Sequence, residues 1–174
     1  MNYPNEHLEI VKSLLDGKFI LQSDESQLYD VISNQFEEYE TFFIKSFNYE
    51  LIQTSEFIYL ASEGSAEKFS RDLMILLAIL VYEYNAQGQN FYTHIKKRHS
   101  IESIKESIDN SSYKNMCRKI DTDKLLLNDC KKRNIIKEHG EGDFSFTSAI
   151  DLFLNFAREN YQVVDREIDS VGGV

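Results

Sequence analysis

Apolar positions recur along this chain mostly at helical spacing, interrupted by two short stretches of strand character. A first helix is predicted over Glu6 to Leu15, with Leu8, Val11, Leu14 and Leu15 as its apolar positions and Gly17 as its stop. Phe19-Ile20-Leu21 reads as a short strand, and Asp24 as the N-cap of a helix carrying Leu28, Val31 and Ile32. The next helix places Phe36, Tyr39, Phe43 and Phe47 on one stripe, with Glu37, Glu38 and Glu40 facing water. Tyr49 to Gln53 and Phe57 to Ala61, joined by Thr54-Ser55-Glu56, form a predicted hairpin.

Ser62-Glu63-Gly64-Ser65 is small and polar and marks the expected boundary between two units. Beyond it, Phe69 to Tyr84 is helical and apolar nearly all round, which predicts a central buried element. After a loop at 85–90, Tyr92 to His99 reads as a short basic helix with His94 and His99 on a solvent face. Ser100 caps a helix over Ile101 to Ile108, and Tyr113 to Lys119 forms another. Asp121 or Thr122 then caps a helix carrying Leu125, Leu126, Leu127 and Cys130 that ends near Asn134. Ile135-Ile136-Lys137 and Phe144-Ser145-Phe146 flank a Gly-containing turn over His139 to Asp143, a second hairpin. Ser148 with Asp151 resembles a capping box for a last helix through Tyr161. The expected fold is therefore mainly α with small β-hairpins, an α+β protein of tandem winged-helix units. These occupy 1–63 and 64–161, with a frayed tail over 162–174.

Composition narrows the class. The 174 residues are 42% hydrophobic and 28% charged, with one Pro and seven Gly, which excludes wholesale disorder, collagen and a turn-rich sandwich. The opening residues lack a basic n-region and an apolar core, so no signal peptide is expected. The longest apolar run, Leu73 to Tyr82, falls well short of the roughly 20 residues that cross a bilayer, so no membrane association is expected. Two cysteines, Cys117 and Cys130, form no disulfide framework, and the chain reads as cytoplasmic.

Charge changes the picture only when divided along the chain. The net value of −10 argues against nucleic acid, yet residues 91–137 hold 12 basic and 6 acidic side chains. Residues 1–90 hold 5 and 15, and residues 138–174 hold 2 and 8, so acidic ends flank a basic middle. Lys114, Arg118, Lys119, Lys124, Lys131, Lys132 and Arg133 lie on or beside the helices preceding the second hairpin. In a winged helix that position enters a DNA groove, so these are the candidate phosphate contacts. Lysine dominates over arginine, which favours contact without base reading. A solvated helix face, or an interface with an acidic partner, is the alternative for the same residues. Aromatic side chains crowd residues 36–60 beyond the needs of one small core. Tyr39, Phe42, Phe43 and Tyr49 are the candidates for a dimer or partner interface, Phe42 and Tyr49 foremost.

Catalytic readings are weak. No nucleophile elbow, phosphate-binding loop or dinucleotide fingerprint occurs, and Glu37-Glu38 suits a solvated face better than acid–base chemistry. His94, His99, Cys117 and Cys130 lack the close ligand pairs of a zinc site, and Cys130 falls in register with packed leucines. No enzyme activity, cofactor or metal is expected.

The ordered set Leu14-Leu15-x-Gly17-Lys18-x-Ile20, Asp24-Glu25, Glu38-Tyr39-x-x-Phe42-Phe43, Phe47-Asn48-x-Glu50-Leu51-Ile52 and Phe57-x-Tyr59-Leu60 resembles MukE. MukE and its relative MksE are the small non-SMC subunits of bacterial condensins and belong to the kleisin-interacting tandem winged-helix group. The later stretch is similar more loosely, through Asp72 to Tyr84, Leu127-Asn128-x-x-Lys131-Lys132 with Ile135-Ile136, and Phe144-Ser145-Phe146-Thr147 with Phe153. Coverage runs over about residues 10–160. The chain is shorter than MukE, which favours the MksE branch or the related plasmid-defence subunit. Lys131 and Lys132 stand where the family carries arginine. The resemblance implies a nucleoid-associated homodimer that binds a kleisin of the MksF or MukF type and, through it, an SMC ATPase of the MksB or MukB type. It also implies non-specific contact with double-stranded DNA. The rival binding reading is a winged-helix transcription regulator.

Overall fold

Helical periodicity and strand alternation resolve into two runs, each of helices with a first short strand and a closing hairpin. The computed structural model describes residues 4–62 and 68–156. The first run comprises α1 (His7–Leu15), β1 (Ile20–Leu21), α2 (Ser26–Asn34), α3 (Phe36–Phe47), β2 (Tyr49–Gln53) and β3 (Phe57–Ser62). The second comprises α4 (Lys68–Ala86), α5 (Phe91–His94), β4 (Arg98–Ser100), α6 (Ile101–Asn110) and α7 (Lys114–Cys117). A π-helix (Lys124–Cys130), β5 (Ile136–Gly140), β6 (Asp143–Phe146) and a helical segment at 150–156 complete it. Each run folds its strands into an antiparallel three-stranded sheet with the hairpin's second strand central, in the orders β1-β3-β2 and β4-β6-β5. The protein is α+β, as expected.

The first core gathers Ile10, Leu14, Ile20, Ile32, Tyr39, Phe43, Leu51 and Ile58. Its hairpin register pairs Leu51 with Leu60 and Ile52 with Tyr59, so the predicted strands and turn stand. Helix α1 is rotated from the predicted face. Ile10 and Leu14 are buried, while Leu8 is 78% exposed and Leu15 is exposed as well. One turn separates Ile10 from Leu14, so this pair makes an i, i+4 face, and the tight link to β1 selects it over the wider leucine stripe. Asp24 does not cap α2, whose N-cap residue is Glu25, and the Glu25 side chain makes no capping bond to the helix. Phe47, expected on the buried stripe, is exposed at the end of α3, where Asn48 turns the chain with a φ of 56°.

Around α4 the second core packs Leu73, Leu76, Leu77 and Leu80 against α6, the π-helix and the β5–β6 hairpin. The basic helix expected over Tyr92 to His99 stops at His94, and Arg98–Ser100 instead pairs with β6. His99 therefore lies opposite Phe144 and is buried, with its ring 5.9 and 5.8 Å from those of Phe144 and Phe146. A sheet contact 45 residues distant in sequence overrides local helical preference. Ser100 caps α6 as predicted, accepting the Ser103 N–H at 3.1 Å. The helix expected over Tyr113 to Lys119 contracts to four residues, and the next winds as a π-helix after Asp121 accepts the Lys124 N–H.

The second hairpin closes more tightly than predicted. Gly140 pairs with Asp143, leaving Glu141 and Gly142, both at positive φ, as a two-residue turn. The Ser148–Asp151 capping box is replaced: Thr147 Oγ1 accepts the Ala149 N–H, and Asp151 turns to Lys96. The last helix beyond 156, the tail over 162–174 and the boundary beyond Ser62 lie outside the described residues.

The two runs share a joint. Phe19, Leu21 and Phe57 belong to the α4-centred core, and the Phe19 ring lies 6.1 Å from that of Phe153. The Phe19 N–H donates to the Arg133 carbonyl at 3.0 Å, and Asn134 Nδ2 donates to the Phe19 carbonyl at 2.9 Å and to Glu25 at 2.8 Å. Gly17, at a φ of 75°, leaves room for the Arg133 guanidinium, which a Cβ there would meet at 2.0 Å.

Candidate functional site

Much of the basic middle segment is neutralised within the fold. Lys96 meets Asp151 at 3.4 Å, Arg98 meets Asp143 at 2.9 Å, and Lys105 meets Asp123 at 2.6 Å. Lys131 pairs with Glu138 and Lys137 reaches back to Asp24 at 2.5 Å. The lysine hydrogen bond holds the Asp24 carboxyl below its usual range. Asp123, chiefly by accepting the hydrogen bond, raises the pKa of Lys105.

Arg133 takes another position. Its guanidinium stacks 4.5 Å over the Phe69 ring and points at the Gly17 carbonyl, in the joint between the runs. It therefore serves packing and leaves the set of expected phosphate contacts. Lys131, held by Glu138, is a weaker candidate than its neighbour.

Lys114, Arg118, Lys119, Lys124 and Lys132 are exposed and make no ion pair among the described residues. Lys114 and Arg118 share a depression of about 490 Å³ with Lys105, Asp109 and Thr122 on the outer side of α7. Lys119, Lys124 and Lys132 stand outside it. Solvated side chains of this kind can exchange water and counterions for phosphate oxygens without first breaking an internal bond.

The aromatic candidates divide. Tyr39 and Phe43 are 0% exposed and form the centre of the first core, which corrects their expected place at an interface. Their i, i+4 spacing puts both on the buried side of α3. Phe42 and Tyr49 are half-buried at its edge, with the Phe42 ring 5.2 Å from Phe43 and 5.8 Å from Phe47.

A surface that the sequence pattern did not announce lies on the second run. Ile75, Ala78 and Tyr82 of α4, Met116 of α7, Tyr113 just before it and Leu154 wall an apolar groove of about 630 Å³. The Tyr82 and Tyr113 rings meet edge to face at 4.9 Å, and Met116 is 57% exposed. The signal was present: a helix apolar nearly all round has a second face, and Ile75, Ala78 and Tyr82 repeat at i, i+3, i+7 opposite the core leucines.

Groups with reactive chemistry stay apart. Among the described residues no three His, Cys, Asp or Glu side chains converge as a metal site. Burial pushes the Cys130 thiol far up and Cys117 up, so both favour the unreactive protonated form. His99, expected in solvent, is buried and held below its ordinary value by desolvation, with Nε2 donating to the Ile95 carbonyl at 3.1 Å. No described helix is long and apolar enough to cross a membrane.

Comparison with known proteins supplies what geometry does not. The family model for condensin complex protein MksE matches residues 5–158. No curated protein matches the chain.

Proposed function

The chain belongs to the MksE family of condensin complex proteins, and from that membership we propose that it is a non-catalytic adaptor of an SMC complex. In this reading it forms a homodimer and binds a kleisin of the MksF or MukF type. The kleisin joins it to an SMC ATPase of the MksB or MukB type, and ATP hydrolysis belongs to that partner. Two fused winged-helix units, 1–63 and 64–161, carry the contacts, in the cytoplasm and at the nucleoid. The work of the complex is chromosome organisation or plasmid defence. The family match along nearly the whole chain carries this proposal.

DNA contact is assigned to Lys114, Arg118, Lys119, Lys124 and Lys132. Four lysines and one arginine supply point charges more than bidentate forks, so binding follows phosphate density and not sequence. Phe42 and Tyr49, half-buried beside the first core, are assigned to the dimer contact.

Size-exclusion chromatography with a purified MksF-type kleisin tests the adaptor role, and a co-eluting complex is expected. Failure to bind would remove it. For DNA, the triple variant Lys119→Glu, Lys124→Glu, Lys132→Glu should lower retention of linear duplex by the assembled complex. The slope of log affinity against log salt should flatten by about 2–3, on the order of 0.9 for each phosphate no longer neutralised. Unchanged retention removes the DNA assignment. Tight binding to one sequence by the isolated protein at physiological salt would favour the transcription-regulator reading.

A further inference from the structure

We propose that the α4–α7 groove is the seat of an amphipathic partner helix whose flank is acidic. This rests on the reading of the chain as a complex subunit and names the surface and chemistry of one contact. Helix α4 is amphipathic in an unusual sense: both of its faces are apolar. Leu73, Leu76, Leu77 and Leu80 fill the core, while Ile75, Ala78 and Tyr82 present a second stripe to the groove. Nothing among the described residues fills the space above that stripe, although Tyr82, Tyr113 and Met116 are each about half exposed there. Large half-exposed aromatic and methionine side chains around a small central alanine make an anchor pocket of the kind that recruits partners.

The groove's shape points to a helix. Ile75 and Tyr82 stand seven residues apart, roughly 10 Å along α4 at about 1.5 Å per residue. Two turns of an incoming helix span that length and offer apolar side chains at i, i+3/i+4 and i+7. Ala78, small and exposed at the centre, lets the incoming backbone approach.

Charge selects the occupant. The groove lining contains no ionised side chain among the described residues. Helix α7 is the ridge that bounds it: Tyr113 and Met116 face the groove, and Lys114 and Arg118 descend the other side. Both cations lack an ion-pair partner among the described residues, so a helix lying along this ridge gains by carrying Asp or Glu on that edge. A second copy presenting the same groove offers no acid from its lining, and only Asp109 among the residues of the depression that holds Lys114 and Arg118. A partner with an acidic flank supplies the charge that both cations lack. Partner and DNA would then compete for Lys114 and Arg118, while Lys119, Lys124 and Lys132 stay open to DNA with the groove filled.

The test uses the full chain and a purified MksF-type kleisin, with affinity read by calorimetry. Met116→Glu and Ala78→Glu place a charge at exposed positions in the groove. Each should weaken binding by about tenfold or more while leaving the thermal melt and the dimer unchanged. Lys114→Glu with Arg118→Glu should weaken it less, and only at low salt. Full-strength binding by the groove variants overturns the groove assignment and leaves the adaptor reading intact. No binding by the unmodified chain removes the adaptor reading itself. Loss of the dimer in Met116→Glu with kleisin binding retained makes the occupant a second copy and overturns the proposal. A charge-reversal effect that persists at high salt, without one from Met116→Glu, overturns the apolar anchor.

Discussion

The two runs of the chain share a strand order, and they differ in where they put their aromatic and charged residues. The first buries Tyr39 and Phe43 in a core of its own and keeps most of its acids in water. The second leaves Tyr82, Tyr113 and Met116 outside, carries most of the exposed cations among the described residues, and completes its core with Phe19, Leu21 and Phe57 from the first. One strand order thus supports two surfaces: the second run walls a groove with its exposed apolar side chains, while the first leaves Leu8, Ile44 and Phe47 outside. Burial of a few large side chains from one run in the other makes the second dependent on the first.

That dependence is the easiest part to break. Phe19 is 6% exposed within the α4-centred core, so Phe19→Ala should cost about 3–5 kcal/mol. Chemical denaturation followed by circular dichroism should still show one transition. Two transitions, one for each run, would mean that the shared core does not couple them.

A smaller effect is expected at the polar part of the joint. Asn134 sits at a φ of 59° and donates twice across it. Asn134→Ala should cost about 2 kcal/mol, from the two orphaned acceptors and the left-handed backbone. Asn134→Gly should recover the backbone share alone. Equal losses for the two variants would assign the whole cost to the amide.

Acid should then probe the buried histidine of the second run. Desolvation holds buried His99 below its ordinary 6.5 in the folded protein, so the unfolded chain takes up a proton more readily. Stability from this site is complete above pH 6.5 and falls as pH drops below it. The melting temperature should decline from about pH 7.5 to about pH 5.5, and His99→Gln should flatten the decline. The flattening should be partial, because burial also lowers His7 in the first run and, with help from Lys97, neighbouring His94. An unaltered slope in His99→Gln would relocate the titration.

The smallest effect belongs to the surface pair Lys137–Asp24, whose side chains are 59% and 39% exposed. Lys137→Ala should cost no more than about 1 kcal/mol, less at high salt. A loss as large as that of Phe19→Ala would make the joint electrostatic and not apolar.

Much of the fold could be read from residue pattern. Tyr49 to Gln53 and Phe57 onward alternate around a polar turn, and the Leu73 to Leu80 stretch has no polar face wide enough to be a surface helix. Such signals are local and strong. Less was legible where long-range pairing decided the outcome. His99 looked helical because Lys96-Lys97-Arg98 precede it, and became a strand residue through Phe144. Leu8 looked buried and faces water, because the α1–β1 link turns Ile10 inward. Of the candidate site, the basic segment was visible as composition, but its division was not. Lys131 and Lys132 are neighbours of one type, and only the position of Glu138 separates them.

By itself the sequence determined the periods, the caps such as Ser100 and the total charge of each stretch, because these depend on residues within a turn or two of one another. It also carried the ordered residues that place the chain in the MksE family. Tertiary structure alone decided which cations are already answered, which aromatics are core, and that α4 keeps an uncovered apolar face. Ion pairing and burial depend on distances in space between residues remote in sequence, such as Asp24 and Lys137 or Phe19 and Phe153, and no local pattern encodes those distances.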